Sequence, residues 1–247
     1  MLQDVTLAQA DVNLPAVNSV RLKGVRVKKR LRLGLKRRAS KRSRGRSLNE
    51  KSTGKDVDVA NVAYSLTGES SSKDVDISDI SYDGQDSGKG ILAVHLEPTS
   101  DAKDLSVSIS NINNMALQLN VTDVAGVSHL SVQNIVGSRS QISSITVKES
   151  SLKSLNVSKV KFTSGGSVSV LDSKILGHLE MTDMAKLTSL AVKDSTSARV
   201  RIKALESVAG DLTIERHELA GSKRAFEIDL NDAVIGGNVV VADINGA

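Results

Sequence analysis

Four histidines are the residues of this chain best suited to metal binding or proton transfer: His95, His129, His178 and His217. They lie far apart, and none has a second histidine or a glutamate at the spacing of known metal-binding motifs. The chain has no cysteine, which excludes thiol catalysis, disulfides and cysteine-ligated zinc. Stacked repeats would align His129 with His178, but the sequence predicts no metal site and no cofactor.

Serine is abundant, but the motifs that turn a hydroxyl or a glycine-rich loop into a reactive site are missing. The sequence contains no G-x-S-x-G nucleophile elbow, no P-loop and no G-x-G-x-x-G after a strand. We therefore predict that the protein is not an enzyme, and we predict no catalytic or cofactor-binding residue.

The densest carboxylate cluster lies in a glycine-containing stretch and comprises Asp74, Asp76, Asp79, Asp83 and Asp86. We expect an irregular, solvated acidic loop there, with Ca²⁺ binding as the alternative because calcium prefers oxygen ligands. Carboxylates on one face of a β-helix also serve carbohydrate-active enzymes, which makes this class a third functional alternative. Aromatic residues that could stack on sugars are few, since tryptophan is absent and the chain has only Tyr64, Tyr82, Phe162 and Phe226.

Charge is distributed very unevenly along the chain. The whole chain has 33 basic and 28 acidic residues and a net charge of +5, whereas residues 21–46 alone contain 14 basic and no acidic residues. The remainder, with 19 basic and 28 acidic residues, carries a net charge of −9. We predict that this basic arm contacts another molecule through Arg21, Lys23, Arg26, Lys28, Lys29, Arg30, Arg32, Lys36, Arg37, Arg38, Lys41, Arg42, Arg44 and Arg46.

The chain repeats a phrase of the form L-x-x-L-x-V, for example at residues 152–160 and 187–195 and, with valine in the first position, at residues 127–135. Apolar positions alternate within each phrase, which is the pattern of a strand with one buried face. Glycines separate many of the phrases, where turns are expected. The central apolar pairs are Val57/Val59, Val75/Ile77, Val94/Leu96, Val107/Ile109, Leu119/Val121, Leu130/Val132, Ile145/Val147, Leu155/Val157, Val168/Val170, Leu179/Met181, Leu190/Val192, Val200/Ile202, Leu212/Ile214, Ile228/Leu230 and Val239/Val241.

Short, self-similar aliphatic strands favour an all-β solenoid, a parallel β-helix-like repeat with two phrases per turn, over the alternative β-sandwich. We divide the chain into an N-terminal segment with the basic arm (1–54), an irregular β cap with the acidic loop (55–106) and solenoid repeats (107–247). Residues 234–241, VIGGNVVV, resemble rungs of parallel β-helix proteins, including bactofilin filaments. This resemblance covers eight residues and implies the fold alone.

Three interpretations of the basic arm stay open. Residues 20–35 alternate apolar and cationic side chains, as a strand or hairpin would, whereas residues 36–46 have almost nothing to bury. The arm could be a solvated tail, could bind a polyanion such as nucleic acid, anionic lipid or acidic polysaccharide, or could contact the acidic body of a second copy. The third interpretation leads, because the arm and the body have opposite charge.

The sequence thus predicts a self-assembling structural protein, a homo-oligomer or polymer that forms a filament, matrix, appendage or particle. Its solenoid would be a stiff body and its basic arm would make intersubunit contacts. The alternative is a polyanion-binding module for nucleic acid or an acidic surface polymer. No apolar run approaches the roughly 18 residues of a membrane span. Ala8-Gln9-Ala10 has the small-residue pattern of a signal-peptide cleavage site, but no basic segment or apolar core is recognisable before it, so either the chain is not secreted by this route or its leader lies outside this sequence. We favour an extracellular or cell-surface assembly.

Overall fold

The computed structural model is an all-β protein whose parallel sheet winds into a β-solenoid. The structure describes the backbone of residues 2–3, 6–14, 19–23, 26–35, 61–64, 73–82, 90–96, 105–222 and 224–246, and the side chains of residues 77–79, 81, 91–94, 96, 106–222 and 224–246. These residues contain no helix, and every strand pairing among them is parallel. The predicted solenoid is therefore confirmed, and the β-sandwich, which requires antiparallel sheets, is not formed.

Within the described residues, the sheet contains 19 strands. The strands before residue 100 are β1 (Leu2–Gln3), β2 (Thr6–Leu14), β3 (Ser19–Lys23), β4 (Arg26–Leu35), β5 (Asn61–Tyr64), β6 (Lys73–Tyr82) and β7 (Gly90–Leu96). Those after it are β8 (Leu105–Asn113), β9 (Met115–Thr122), β10 (Ala125–Val136), β11 (Ser143–Lys148), β12 (Ser151–Leu171), β13 (Lys174–Lys193), β14 (Thr196–Leu205), β15 (Ser207–Val208), β16 (Leu212–Leu219), β17 (Ala225–Ile228), β18 (Val234–Ile235) and β19 (Val239–Asn245).

Each turn contributes one strand to each of two sides. Side A is formed by β1, β3, β6, β8, β10, the first parts of β12 and β13, β14 and β17. Side B is formed by β2, β4, β5, β7, β9, β11, the second parts of β12 and β13, β16 and β19. Two repeat phrases therefore make one turn, as the sequence predicts.

The core consists of aliphatic columns that run along the solenoid. On side A, Val107, Leu130, Leu155, Leu179 and Val200 pair in succession, and none of them is more than 1% exposed. The predicted apolar pairs from Val107/Ile109 to Leu212/Ile214 are all buried in this way. Each turn thus buries its alternating aliphatic side chains against copies of the same pattern in the neighbouring turns.

In the last turn, the observed strand register differs from the predicted one by two residues. The predicted central pair was Ile228/Leu230, whereas Phe226 pairs with Val200 and Ile228 pairs with Ile202. Residues 226, 228 and 230 are all apolar, so a shift of two residues keeps the same face inward and the sequence pattern cannot distinguish the two registers. The predicted pair Val57/Val59 lies outside the described residues.

Three buried serines, Ser150, Ser173 and Ser195, line the corner between side B of one turn and side A of the next. The Ser150 N–H donates to Ser173 Oγ at 3.2 Å, and the Ser173 N–H donates to Ser195 Oγ at 3.2 Å. Each hydroxyl donates to the carbonyl two residues earlier, at 2.7, 2.7 and 2.6 Å. This serine column provides acceptors for backbone N–H groups where the chain turns out of the sheet.

Phe162 is the largest fully buried side chain, and its ring lies against Gly166. A Cβ atom at Gly166 would stand 2.6 Å from Phe162 Cγ and 2.9 Å from Cε2, too close for any side chain. The neighbouring Gly165 has a φ of +91°, a conformation that side chains disfavour. The two glycines therefore let an otherwise aliphatic core accommodate an aromatic ring.

Candidate assembly surfaces

The structure places half of the predicted basic arm in the sheet of its own subunit. Arg21 and Lys23 lie in β3, and Arg26, Lys28, Lys29, Arg30 and Arg32 lie in β4. The other seven cations, Lys36, Arg37, Arg38, Lys41, Arg42, Arg44 and Arg46, lie outside the described residues. The strand or hairpin predicted over residues 20–35 is thus present as the two strands β3 and β4, while the contacts of the cationic side chains stay a prediction.

Acidic residues stand beside two of these cations in the strand register. Arg21 pairs with Asp76 of β6, and Arg32 pairs with Asp11 of β2. Both pairings join strands of the same chain. Some of the oppositely charged residues that the sequence assigned to contacts between copies are therefore backbone register partners within one subunit.

The predicted acidic loop is in part a regular strand. Asp74, Asp76 and Asp79 lie in β6, whereas Asp83 and Asp86 lie outside the described residues. Asp79 has a left-handed backbone with a φ of 56°, and its carboxylate accepts a hydrogen bond from Asn111 Nδ2 at 2.7 Å. Among the described side chains, no group of three or more histidine, aspartate or glutamate residues could hold a metal ion.

Two of the four histidines share an outward-facing column on side A, as stacking predicts. His129 pairs with Ser154 of the next turn. Leu155, which follows Ser154, pairs with Leu179, which follows His178. His129, Ser154 and His178 therefore occupy one column. His129 Nδ1 and Ser154 Oγ are 2.6 Å apart. Since a serine separates the two imidazoles, the column brings no two histidines into contact. His95 lies in β7, and its side chain is outside the described residues.

The fourth histidine, His217, is fully buried, which the sequence did not indicate. It follows Arg216, which lies one turn after Asp194, so the imidazole occupies the place that a serine holds in the preceding turns. Its Nε2 is 2.9 Å from Ser197 Oγ, and its Nδ1 has no hydrogen-bond partner.

Burial sets the protonation state of His217. Removal from water disfavours the charged imidazolium and lowers the pKa of His217 to about 4, from an ordinary value of 6.5. The imidazole is therefore neutral in the folded protein at pH 7. The unfolded chain takes up this proton near pH 6.5, so burial of His217 favours folding less and less as the pH falls from 6.5 to 4.

An exposed row of corner residues follows side B and is mainly acidic: Asp123, Glu149, Asp172, Asp194, Arg216 and Asp243. All have a left-handed backbone, with φ between 47° and 54°. Arg216 Nη2 donates to Asp194 Oδ2 at 2.8 Å, and this hydrogen bond lowers the pKa of the Asp194 carboxyl. Lys148 Nζ lies 3.0 Å from Glu149 Oε1. This corner gives the body a column of negative charge that cations partly neutralise.

The C-terminal turn exposes the cross-section of the core. Val239 and Val241 are 47% and 45% exposed, although they occupy the same columns as Leu212 and Ile214, which are 0% exposed. Phe226 and Ile228 on side A are only partly buried. Within the described residues, no strand pairs with the outer edge of β17 or β19. This C-terminal end, β17 to β19, therefore presents apolar side chains beside unpaired backbone groups.

Comparison with known proteins gave no match to any family model, any curated protein or any solved structure. In the part of the chain that the structure describes, no helix has the length and apolar character needed to span a membrane.

Proposed function

We propose that this protein is a structural subunit that self-associates end to end, building a filament, matrix, appendage or particle from β-solenoid bodies. The outer edges of β17 and β19, which no described strand covers, carry the proposal. In a solenoid each turn buries its apolar side chains against the next turn, so a turn without a neighbour keeps both apolar area and backbone hydrogen-bonding groups in water. Another turn that covered this end would bury the apolar area and would provide hydrogen-bond partners for the backbone groups.

The difference in exposure between equivalent positions measures what association would bury. Leu212 and Ile214 lose all contact with water because a following turn covers them, whereas Val239 and Val241 keep nearly half of their surface exposed. A second copy offers strands of the same spacing and direction. An unrelated globular partner would have to supply a matching parallel edge by chance.

The basic arm is the second element of the proposal. The body outside residues 21–46 has a net charge of −9, and the exposed corner column includes Asp123, Asp172 and Asp243. Cations of the arm that reach a neighbouring copy would be attracted to such a surface, an interaction that salt screens. Residues 26–35 form a strand of the sheet, so substitutions there would alter the fold as well as the charge. The experiments below therefore alter residues 36–46.

Sedimentation velocity and negative-stain microscopy over a range of concentrations test the proposal. We expect the full chain to form concentration-dependent assemblies and Val239→Asp to reduce them to monomers, because the substitution places a charge in the exposed core cross-section. Val136→Asp is the matched control, since Val136 is 41% exposed but lies in the middle of the body. A full chain that stays monomeric at every concentration would disprove end-to-end assembly.

A variant with the seven cations of residues 36–46 changed to glutamine tests the arm separately from the C-terminal end. Under the proposal, this variant assembles less well than the full chain at low salt and equally at high salt. The alternative, a polyanion-binding module, rests on the density of 14 cations in residues 21–46. It predicts unchanged assembly and a loss of salt-sensitive binding to duplex DNA or heparin.

A further inference from the structure

On side B, the two edge strands of the solenoid sheet run in the same direction. On side B, β2 pairs with β4, and β19 pairs with β16; within the described residues, neither β2 nor β19 pairs on its other edge. Both pairings are parallel. A copy placed beyond either edge can therefore continue the sheet without changing the strand direction.

A continuous column of aliphatic positions connects these edges. It begins at Val12 in β2 and ends at Val239 in β19, and the register pairs along it are Val12–Leu33, Leu33–Val62, Val62–Val94, Val94–Leu119, Leu119–Ile145, Ile145–Val168, Val168–Leu190, Leu190–Leu212 and Leu212–Val239. The column of Leu14 ends in the same way at Val241. Residue types at one edge thus match those that the next turn would need at the other.

The charges of the two ends differ in sign. Residues 225–245 contain Glu227, Asp229, Asp232 and Asp243 and no lysine or arginine, although Glu227 accepts a hydrogen bond from Arg201. Residues 1–35 contain seven lysines and arginines, all of them in β3 and β4, and two aspartates, of which Asp11 lies in the edge strand β2. Contacts between two C-terminal ends would oppose like charges, whereas a C-terminal end that faces an N-terminal end lies about one strand spacing beyond the edge strand from the cationic strand β4.

We propose that copies stack head to tail, with β19 of one copy lying parallel to β2 of the next, Val239 beside Val12 and Val241 beside Leu14. The inference rests on the proposed function and adds the polarity and register of the contact. Such a contact joins two different surfaces and leaves one of each free at the ends of every assembly. Repetition therefore produces an open, polar filament rather than a closed two-fold dimer.

Cysteine cross-linking tests the register directly, because the native chain has no cysteine. Asn13 pairs with Gly34 at the first turn, and Val240 pairs with Thr213 at the last. Asn13 and Val240 therefore begin and end the column next to that of Val12 and Val239. The proposed stacking would place them on adjacent strands with Cα atoms about 5 Å apart, within the range that a disulfide bridges. The two probes are Asn13→Cys and Val240→Cys, each made singly.

Mild oxidation of an equimolar mixture of the two variants is expected to give a disulfide-linked dimer, and neither variant alone should give one. Ser169→Cys mixed with Val240→Cys is the control, because Ser169 lies on side B in the middle of the body. Self-linking of Val240→Cys, or assembly without any link between the two variants, would overturn the head-to-tail contact and leave self-assembly standing. Monomers at every concentration would remove the proposed function as well.

Discussion

Replacing Ser173 by alanine tests the role of the serine column in holding one turn on the next. Ser173 is 3% exposed, accepts a hydrogen bond from the Ser150 N–H at 3.2 Å and donates one to the Leu171 carbonyl at 2.7 Å. Alanine removes both bonds. The Leu171 carbonyl keeps a second donor, the Glu149 N–H at 3.1 Å, so the main loss falls on the buried Ser150 N–H.

The expected cost follows from that single unsatisfied donor. A buried N–H group left without a partner costs about 1–3 kcal/mol, and we expect Ser173→Ala to lower the free energy of unfolding by that amount. Chemical denaturation gives the total, and hydrogen exchange at the Ser150 amide reports the local loss. Ser195→Ala should behave alike, since Ser195 makes the same two bonds at 3.2 and 2.6 Å.

Ser169→Ala is the matched control for this prediction. Its hydroxyl faces outward and donates only to Thr146 Oγ1 at 3.3 Å, so its removal should change stability by less than about 0.5 kcal/mol. Equal stability of Ser173→Ala and Ser169→Ala, together with unchanged exchange at Ser150, would show that the corner serines do not secure the backbone as described.

Two further predictions concern the core. Because burial lowers the pKa of His217 to about 4, the free energy of unfolding should fall by about 3 kcal/mol between pH 6.5 and pH 4. His217→Gln, compared over the same range by denaturant titration, should lose this part of the pH dependence. A pH profile identical to that of the unaltered chain would refute the assignment. Gly166→Ala forces a Cβ atom against the Phe162 ring and should cost about 1–3 kcal/mol in thermal unfolding. The cost should shrink in a Phe162→Leu background, and equal costs in both backgrounds would contradict the packing described.

The sequence was sufficient to predict the solenoid because the residues that stack on one another are also the residues that repeat along the sequence. Leu155/Val157 and Leu179/Met181 were predicted as equivalent pairs, and the structure buries both in the same columns. Alternation identifies which side chains point inward, and similarity between phrases indicates that they pack on one another rather than across a sandwich. Both properties are local and can be read without the fold.

The corners were harder to predict than the strands. Ser150 and Ser195 end the repeated triplets Lys148-Glu149-Ser150 and Lys193-Asp194-Ser195, but serine is usually exposed, so nothing in the triplet alone marks the hydroxyl as buried. His217 shows the same difficulty. It sits among charged neighbours in the sequence. Strict alternation from Ile214 would point the His217 side chain outward, and its inward position arises from the left-handed corner at Arg216, where φ is 47°.

The candidate assembly end could not have been singled out from residue types. Val239 and Val241 resemble Leu212 and Ile214 in the sequence pattern, and their exposure arises because no further turn of the described chain covers them. For the basic arm, the sequence indicated the charge and the strand-like alternation. It did not indicate the pairing of Arg21 with Asp76, because this pairing depends on a register that composition does not encode.

The parallel stacking of turns has a consequence for how the length of this body can vary. Ser151 and Lys174 are register partners at the start of successive turns, so residues 151–173 form one complete module. Excising or duplicating such a module would leave every remaining strand beside a neighbour of the same kind, and the core columns would simply become shorter or longer. Length is therefore a property that gene-level gain or loss of whole modules can tune in steps of about 4.8 Å, without redesign of the interior.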